Sequence, residues 1–358
     1  MDFLERNKAL FAEIEEKIKN DPQNVENYLL LGKLYVMGKQ FDKAIEIYDD
    51  LLKIDPLSTQ ALINTGSIYY FKKDYQKAID IFSRVLETDE ANFSAYYNLG
   101  NTYAELKQYN HSMHAYKKAL ACDDKNPDLH TAIALLHQDM CEYPEAIASF
   151  QKALDLDPGN PEFNSNIACA YVKMKMYKEA VYYFKKSLEK EPNCPRTLLQ
   201  LANVYSSMKN FEEANKYFEQ SIANDENYYE AYVCKAISLC EEGKINEAYA
   251  VYDKAVEINP KRANAFVLKA NLLVSNSQFA EALKLYKQAM EIEPSSPKIY
   301  IHAGNTSVLA GDLVGAIRDY KKAVTLLPDD EQTMLMYYDT VKDYVNEKYN
   351  KEQISGTK

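Results

Sequence analysis

Two sets of side chains in this sequence have types and spacings that could do chemistry. The first is a series of carboxamides: Asn64, Asn98, Asn101, Asn166, Gln200, Asn203, Asn271 and Asn305. A carboxamide both donates and accepts, so it can grip a peptide N–H and C=O whatever side chain the partner carries. Asn98 and Asn101 are three residues apart, on one face of a helix, with Tyr70, Phe71 and Tyr97 as the nearby source of apolar contact. The bland alternative is that these amides hydrate or link neighbouring helices. Asparagine in mid-helix is mildly unfavourable, so its recurrence asks for a reason, and peptide binding is the preferred one. On that reading, alanine at Asn98 and Asn101 leaves folding intact and weakens a partner.

The second set is histidine. Four of the five crowd together as His111, His114, His130 and His137, and His130, His137 and Cys141 could share a helical face. That spacing is not diagnostic of a metal site, and histidines filling slots for large side chains is the preferred reading. No metal and no cofactor is expected. The string from Gly32-Lys33 to Gly38-Lys39-Gln40 is one residue too long for a P-loop and ends in Gln. HExxH, GxSxG and EF-hand patterns are absent, so no catalytic residue is assigned and no enzyme is expected.

The elements that carry these residues follow a 34-residue frame, first seen in Val25–Ser58. Tyr28, Leu31 and Tyr35 recur at the steps of an apolar helical stripe. Gly38 is expected to break that helix, and a second stripe runs through Phe41, Ala44, Ile45 and Tyr48 until Pro56 stops it. With Val25 as position 1, the frame runs nine times without insertion to Asp330. Position 24 is aromatic in every copy, position 20 is Ala in all but Ser112, and position 8 is Gly or Ala.

This pattern resembles the tetratricopeptide repeat, a helix–turn–helix hairpin. The resemblance implies an all-α, right-handed superhelix (an α-solenoid) of roughly one turn or slightly more, with first helices lining a concave groove. Residues 1–24 are expected to hold an N-terminal capping helix, 25–330 the nine repeats, 331–349 a C-terminal capping helix and 350–358 a flexible tail.

By the same resemblance, positions 2, 5, 6, 9, 12 and 13 face the groove. They present Leu29, Leu30, Val36, Ile63, Tyr70, Phe71 and Tyr97 early in the chain, and Val233, Ile237, Val267 and Val308 late. Chaperone-tail binders of this family carry Lys at position 5; here none does, so that partner is disfavoured. Repeat four, 127–160, holds six acidic residues against one Lys, a balance of −5, the sharpest electrostatic feature of the chain.

The net charge of −11 offers no basic stripe to replace counterions, which excludes a nucleic-acid binder. No apolar run approaches a membrane span, and the charged N-terminus lacks a signal-peptide core. Six scattered Cys with no CxxC pair are read as reduced thiols in a cytoplasmic protein, with cytoskeletal or ciliary association open. The expected function is a non-enzymatic adaptor or scaffold whose groove holds an extended or helical partner segment. The alternative is a structural subunit of a large assembly, resembling a cell-cycle ubiquitin ligase or a ciliary complex, packed through its convex face and ends.

Overall fold

The computed structural model describes residues 3–355, with side chains at 3 and 5–348; all regular structure among them is helical. The chain divides into two units, Met1–Lys190 and Glu191–Lys358.

The first unit opens with α1 (Phe3–Arg6) and α2 (Lys8–Asn20). One helix over 1–20 is the sequence expectation, and the structure interrupts it at Asn7. There the side-chain amide donates to the Phe3 carbonyl at 2.8 Å, a local bond that competes with the helical ladder. Phe11 and Ile14 of α2 are buried against Leu31 and Leu34. Five hairpins follow, whose first helices are α3 (Val25–Met37), α5 (Thr59–Phe71), α7 (Phe93–Glu105), α9 (Pro127–Asp139) and α11 (Pro161–Lys173). Their second helices are α4 (Phe41–Ile54), α6 (Tyr75–Thr88), α8 (Tyr109–Cys122), α10 (Tyr143–Leu156) and α12 (Tyr177–Lys190).

The second unit holds α13 (Pro195–Ser207), α14 (Phe211–Asn224), α15 (Tyr229–Glu242) and α16 (Ile245–Ile258). It continues with α17 (Ala263–Ser275), α18 (Phe279–Ile292), α19 (Pro297–Leu309), α20 (Leu313–Leu326) and α21 (Glu331–Ser355). The last helix passes the expected boundary at 349 because no Gly or Pro interrupts Glu331–Ser355. Residues 356–358 of the expected tail lie outside the described residues.

Local chemistry sets the helix ends. Asn24, Asn92, Asn126 and Asn160 cap first helices by accepting a backbone N–H, and Pro127, Pro161, Pro195 and Pro297 take the first helical turn. Within the first hairpin the reversal falls on Lys39, not on Gly38 as the sequence suggests. Gly38 keeps a φ of −78°, whereas Lys39 takes +55°. The Gln40 N–H then bonds back to the Tyr35 carbonyl at 2.8 Å and that of Lys39 to Val36 at 2.9 Å. This crossed pair requires a left-handed residue one step past the cap. Lys73, Lys107, Cys141 and Lys175 repeat the conformation in the first unit, as do Lys209, Gly243, Ser277 and Gly311 in the second.

Small residues let the two helices of a hairpin approach. A Cβ on Gly66 would lie 2.5 Å from the Phe82 ring, and one on Gly304 would lie 2.6 Å from Tyr320. The position-20 alanines are fully buried. Ser112, which replaces one of them, is equally buried and donates to the Gly100 carbonyl at 2.7 Å, so its hydroxyl is satisfied. His130 is buried with Nε2 2.8 Å from the Asp124 carbonyl, and His137 Nδ1 lies 2.7 Å from Glu142 Oε2. Within each unit, second helices pack on the next first helix, and several first helices also touch the next first helix, as in α3–α5, α5–α7 and α7–α9.

Candidate functional site

First-helix residues of the first unit enclose two cavities. One, of about 480 Å³, lies between α3 and α5 and is lined by Leu29, Leu30 and Val36, by Asn64 and by Phe71. The other, of about 330 Å³, is built from α5, α7 and α9 and floored by Tyr116 of α8. Tyr70 of the smaller cavity and Phe71 of the larger lie edge to face at the end of α5, with ring centroids 5.8 Å apart.

The smaller cavity gathers Tyr70, Tyr97, Asn101 and Tyr116 with the carboxylates Glu105, Asp128 and Asp139. Its periodic origin is plain: residues at positions 2, 5, 9, 12 and 13 of successive first helices point to one side. Tyr97 stacks on Phe93 and tilts against Tyr116, with ring centroids 5.9 and 6.4 Å away. The Tyr70 and Tyr75 hydroxyls both approach Glu105, at 3.4 Å each. Burial, and then the Glu105 carboxylate, push Tyr70 up to about 12. Burial likewise raises Tyr97 and Tyr116, so the three phenols stay neutral across the physiological range. Glu105, Asp128 and Asp139 form no ion pair among the described residues, and no basic side chain lines the cavity.

The structure thus brings Tyr70, Tyr97 and Asn101 together in one cavity, with Asn64 and Phe71 in its neighbour. Asn101 accepts from the Tyr116 hydroxyl at 2.7 Å, and Asn64 donates to that of Tyr48 at 3.2 Å. Asn271 and Asn305 accept from Tyr286 and Tyr320 at 2.5 and 2.6 Å. Asn203 pairs with Cys234. Asn98 lines neither cavity, and its half-buried side chain has no hydrogen-bond partner among the described residues. Asn166 is half-buried on α11, and Gln200 lies on α13 in the second unit. Ile63 and Val233, expected to face the groove, are instead buried in the core because their helix faces turn onto neighbouring helices.

Missed from the sequence were Glu105, Asp128, Thr131, Leu135 and Asp139. Their signal was available: they occupy groove-facing positions of repeats three and four, and two of them belong to the acidic excess of repeat four.

Among the described residues, no three or more His, Cys, Asp or Glu side chains converge as a metal site. No helix among them is long and apolar enough to cross a membrane.

Tetratricopeptide repeat models match residues 26–58, 66–107, 93–126, 142–175, 171–233 and 239–301. The chain belongs to the tetratricopeptide repeat family, an all-α solenoid class of protein-interaction scaffold. Its fold is similar to that of a tetratricopeptide repeat protein from Parabacteroides merdae. The two share 17% identity over 70% of this chain and 98% of that one, with a TM-score of 0.53. The MamA protein is 28% identical over 47% of this chain and 92% of its own, with a TM-score of 0.42. YrrB, a repeat protein with an unusual peptide-binding site, is 19% identical over 52% and 95%, with a TM-score of 0.41. No curated protein sequence matches the chain.

Proposed function

We propose that this protein is a non-enzymatic adaptor that holds an extended segment of a partner protein along the face made by α3, α5, α7 and α9. The observation that carries this reading is the pair of adjoining cavities, both lined by first helices. One joins Leu29, Leu30, Val36 and the exposed Phe71 to Lys33, Gln60 and Asn64; the other combines tyrosines, an amide and carboxylates. Neighbouring first helices lie roughly 10 Å apart, about three residues of extended chain. A segment of roughly six to ten residues would therefore cross both cavities.

Photo-crosslinking tests it. A benzophenone amino acid at Phe71 or Leu135 should capture partner proteins in cell extract, while the same group at the exposed Tyr182 of α12 should not. Capture from Tyr182 alone, in a complex of fixed stoichiometry, would replace the groove reading with that of an assembly subunit held through its second helices.

A further inference from the structure

We infer that the cavity lined by Tyr70, Tyr97, Glu105, Asp128 and Asp139 receives a lysine or arginine side chain from the bound protein segment. This inference rests on the groove reading above and names its partner as a basic one.

The inner surface combines three features. Its volume, about 330 Å³, is at the small end of ligand cavities and suits one long side chain rather than a folded element. Three tyrosines line it beside Leu135 and Leu136, and an aromatic ring attracts a cation placed over its face. Its rim carries three carboxylates from two helices, Glu105 of α7 and Asp128 and Asp139 of α9.

Some carboxylates elsewhere on the molecule pair with cations, and those at this site do not. Asp42 pairs with Lys72 across repeats, Glu230 with Arg262 and Glu241 with Lys209. Around the cavity no such pair forms among the described residues, although Lys73 and Lys107 hold the positions equivalent to Lys209; Glu105 meets two neutral phenols, at 3.4 Å. A cation entering the cavity is attracted by all three carboxylates, and an anion is repelled by the same field. The phenols cannot contribute charge, since burial holds them neutral. An acidic or phosphorylated segment is therefore excluded, and a basic one is favoured.

The neighbouring cavity fixes the rest of the segment. Leu29, Leu30, Val36 and Phe71 give it an apolar side, with Lys33, Gln60, Asn64 and Ser67 on the rest of its lining. With one repeat spanning about three extended residues, the basic residue and an apolar anchor should stand roughly three to six residues apart.

Fluorescence polarisation with labelled ten-residue peptides tests both parts on the full chain. One peptide carries two Arg and two Leu in a Ser-Gly background at that spacing; the others replace Arg by Gln or by Glu. One variant protein combines Glu105→Gln, Asp128→Asn and Asp139→Asn. A control of equal net charge combines Asp49→Asn, Glu87→Gln and Glu90→Gln, outside the cavity. The Arg peptide should bind the wild type and the control alike, lose about tenfold or more on the cavity variant, and outcompete the Glu peptide. Equal binding of the Arg and Gln peptides, with the cavity variant silent, overturns the cation pocket but leaves the groove standing. Equal weakening in both variants reduces the effect to net charge and also overturns it. If none of the three peptides binds the wild type, the groove reading falls with it.

Discussion

The Tyr116 hydroxyl donates to Asn101 Oδ1 at 2.7 Å, tying the second helix of its hairpin to the first. Tyr286 with Asn271 and Tyr320 with Asn305 repeat the bond at the same two positions of the frame. Tyr48 reaches the same end through Asn64 of the next repeat, and Tyr252 through Cys240. Four other repeats place Phe at this position, as Phe82, Phe150, Phe184 and Phe218, with no hydroxyl to satisfy. A phenol buried here needs a partner, and the amides supply it.

The first prediction follows from that bond. Asn101→Ala strands the buried Tyr116 hydroxyl and should cost about 1–3 kcal/mol in urea unfolding. In a Tyr116→Phe background the same change should cost well under half as much. Asn98→Ala, which breaks no hydrogen bond, should be neutral or slightly stabilising. A double-mutant cycle with no coupling between Asn101 and Tyr116 would show that the bond contributes nothing.

A second prediction concerns the close approach of helices. Gly66→Ala should raise helix propensity by about 1 kcal/mol yet push a methyl into the fully buried Phe82 ring. Overpacking of this kind costs about 1–3 kcal/mol, so the net effect should be a lower urea midpoint. Adding Phe82→Leu should recover part of the loss. A midpoint that rises in the single variant would mean the hairpin relaxes freely.

Much of this was legible from spacing alone. The hairpins, their boundaries and their buried positions follow from one apolar pattern repeated in register, because each position meets the same neighbours in every copy. What the amides do was not legible, since four of them, Asn64, Asn101, Asn271 and Asn305, meet a tyrosine 15 or 16 residues away, and the choice between solvent, peptide and phenol depends on side-chain direction. The acidic cavity was half legible. Asp128 and Asp139 stood out as charge, but only the packing of α5 against α7 and α9 shows that they meet Tyr70 and Tyr97. Lys39 misled for a different reason: Gly38 is the better left-handed residue, yet the crossed hydrogen bonds of the turn fall one step later.

The third prediction uses that turn. Lys39, Lys73, Lys107, Lys175 and Lys209 hold φ between 55° and 62°, a region that costs a side chain roughly 1–2 kcal/mol. Glycine relieves this strain but gains freedom when unfolded, so each Lys→Gly change should stabilise by roughly 0.5 kcal/mol or more. Combining Lys73→Gly and Lys107→Gly should raise the thermal midpoint of the chain. Gly243→Lys is the reverse test and should lower it.

The last prediction is alkaline. Burial pushes Tyr48 up to about 12 and raises Tyr116, Tyr252, Tyr286 and Tyr320 as well. In the unfolded chain these phenols ionise near 10. A folded value raised above the unfolded one means the native state holds its protons longer. The stabilisation is therefore fully present below about pH 10 and is lost as pH climbs toward 12. Absorbance at 295 nm should show one part of the tyrosine signal rising first, with helical circular dichroism unchanged. A second group should ionise only together with the loss of helix. Tyr48→Phe removes one raised phenol and should move that transition to higher pH, provided Asn64 is changed to Ala at the same time so that no amide is stranded. Were all the tyrosines to titrate in one step near pH 10 with the helices intact, the position-24 phenols would have to be open to water and the packing described above would be wrong.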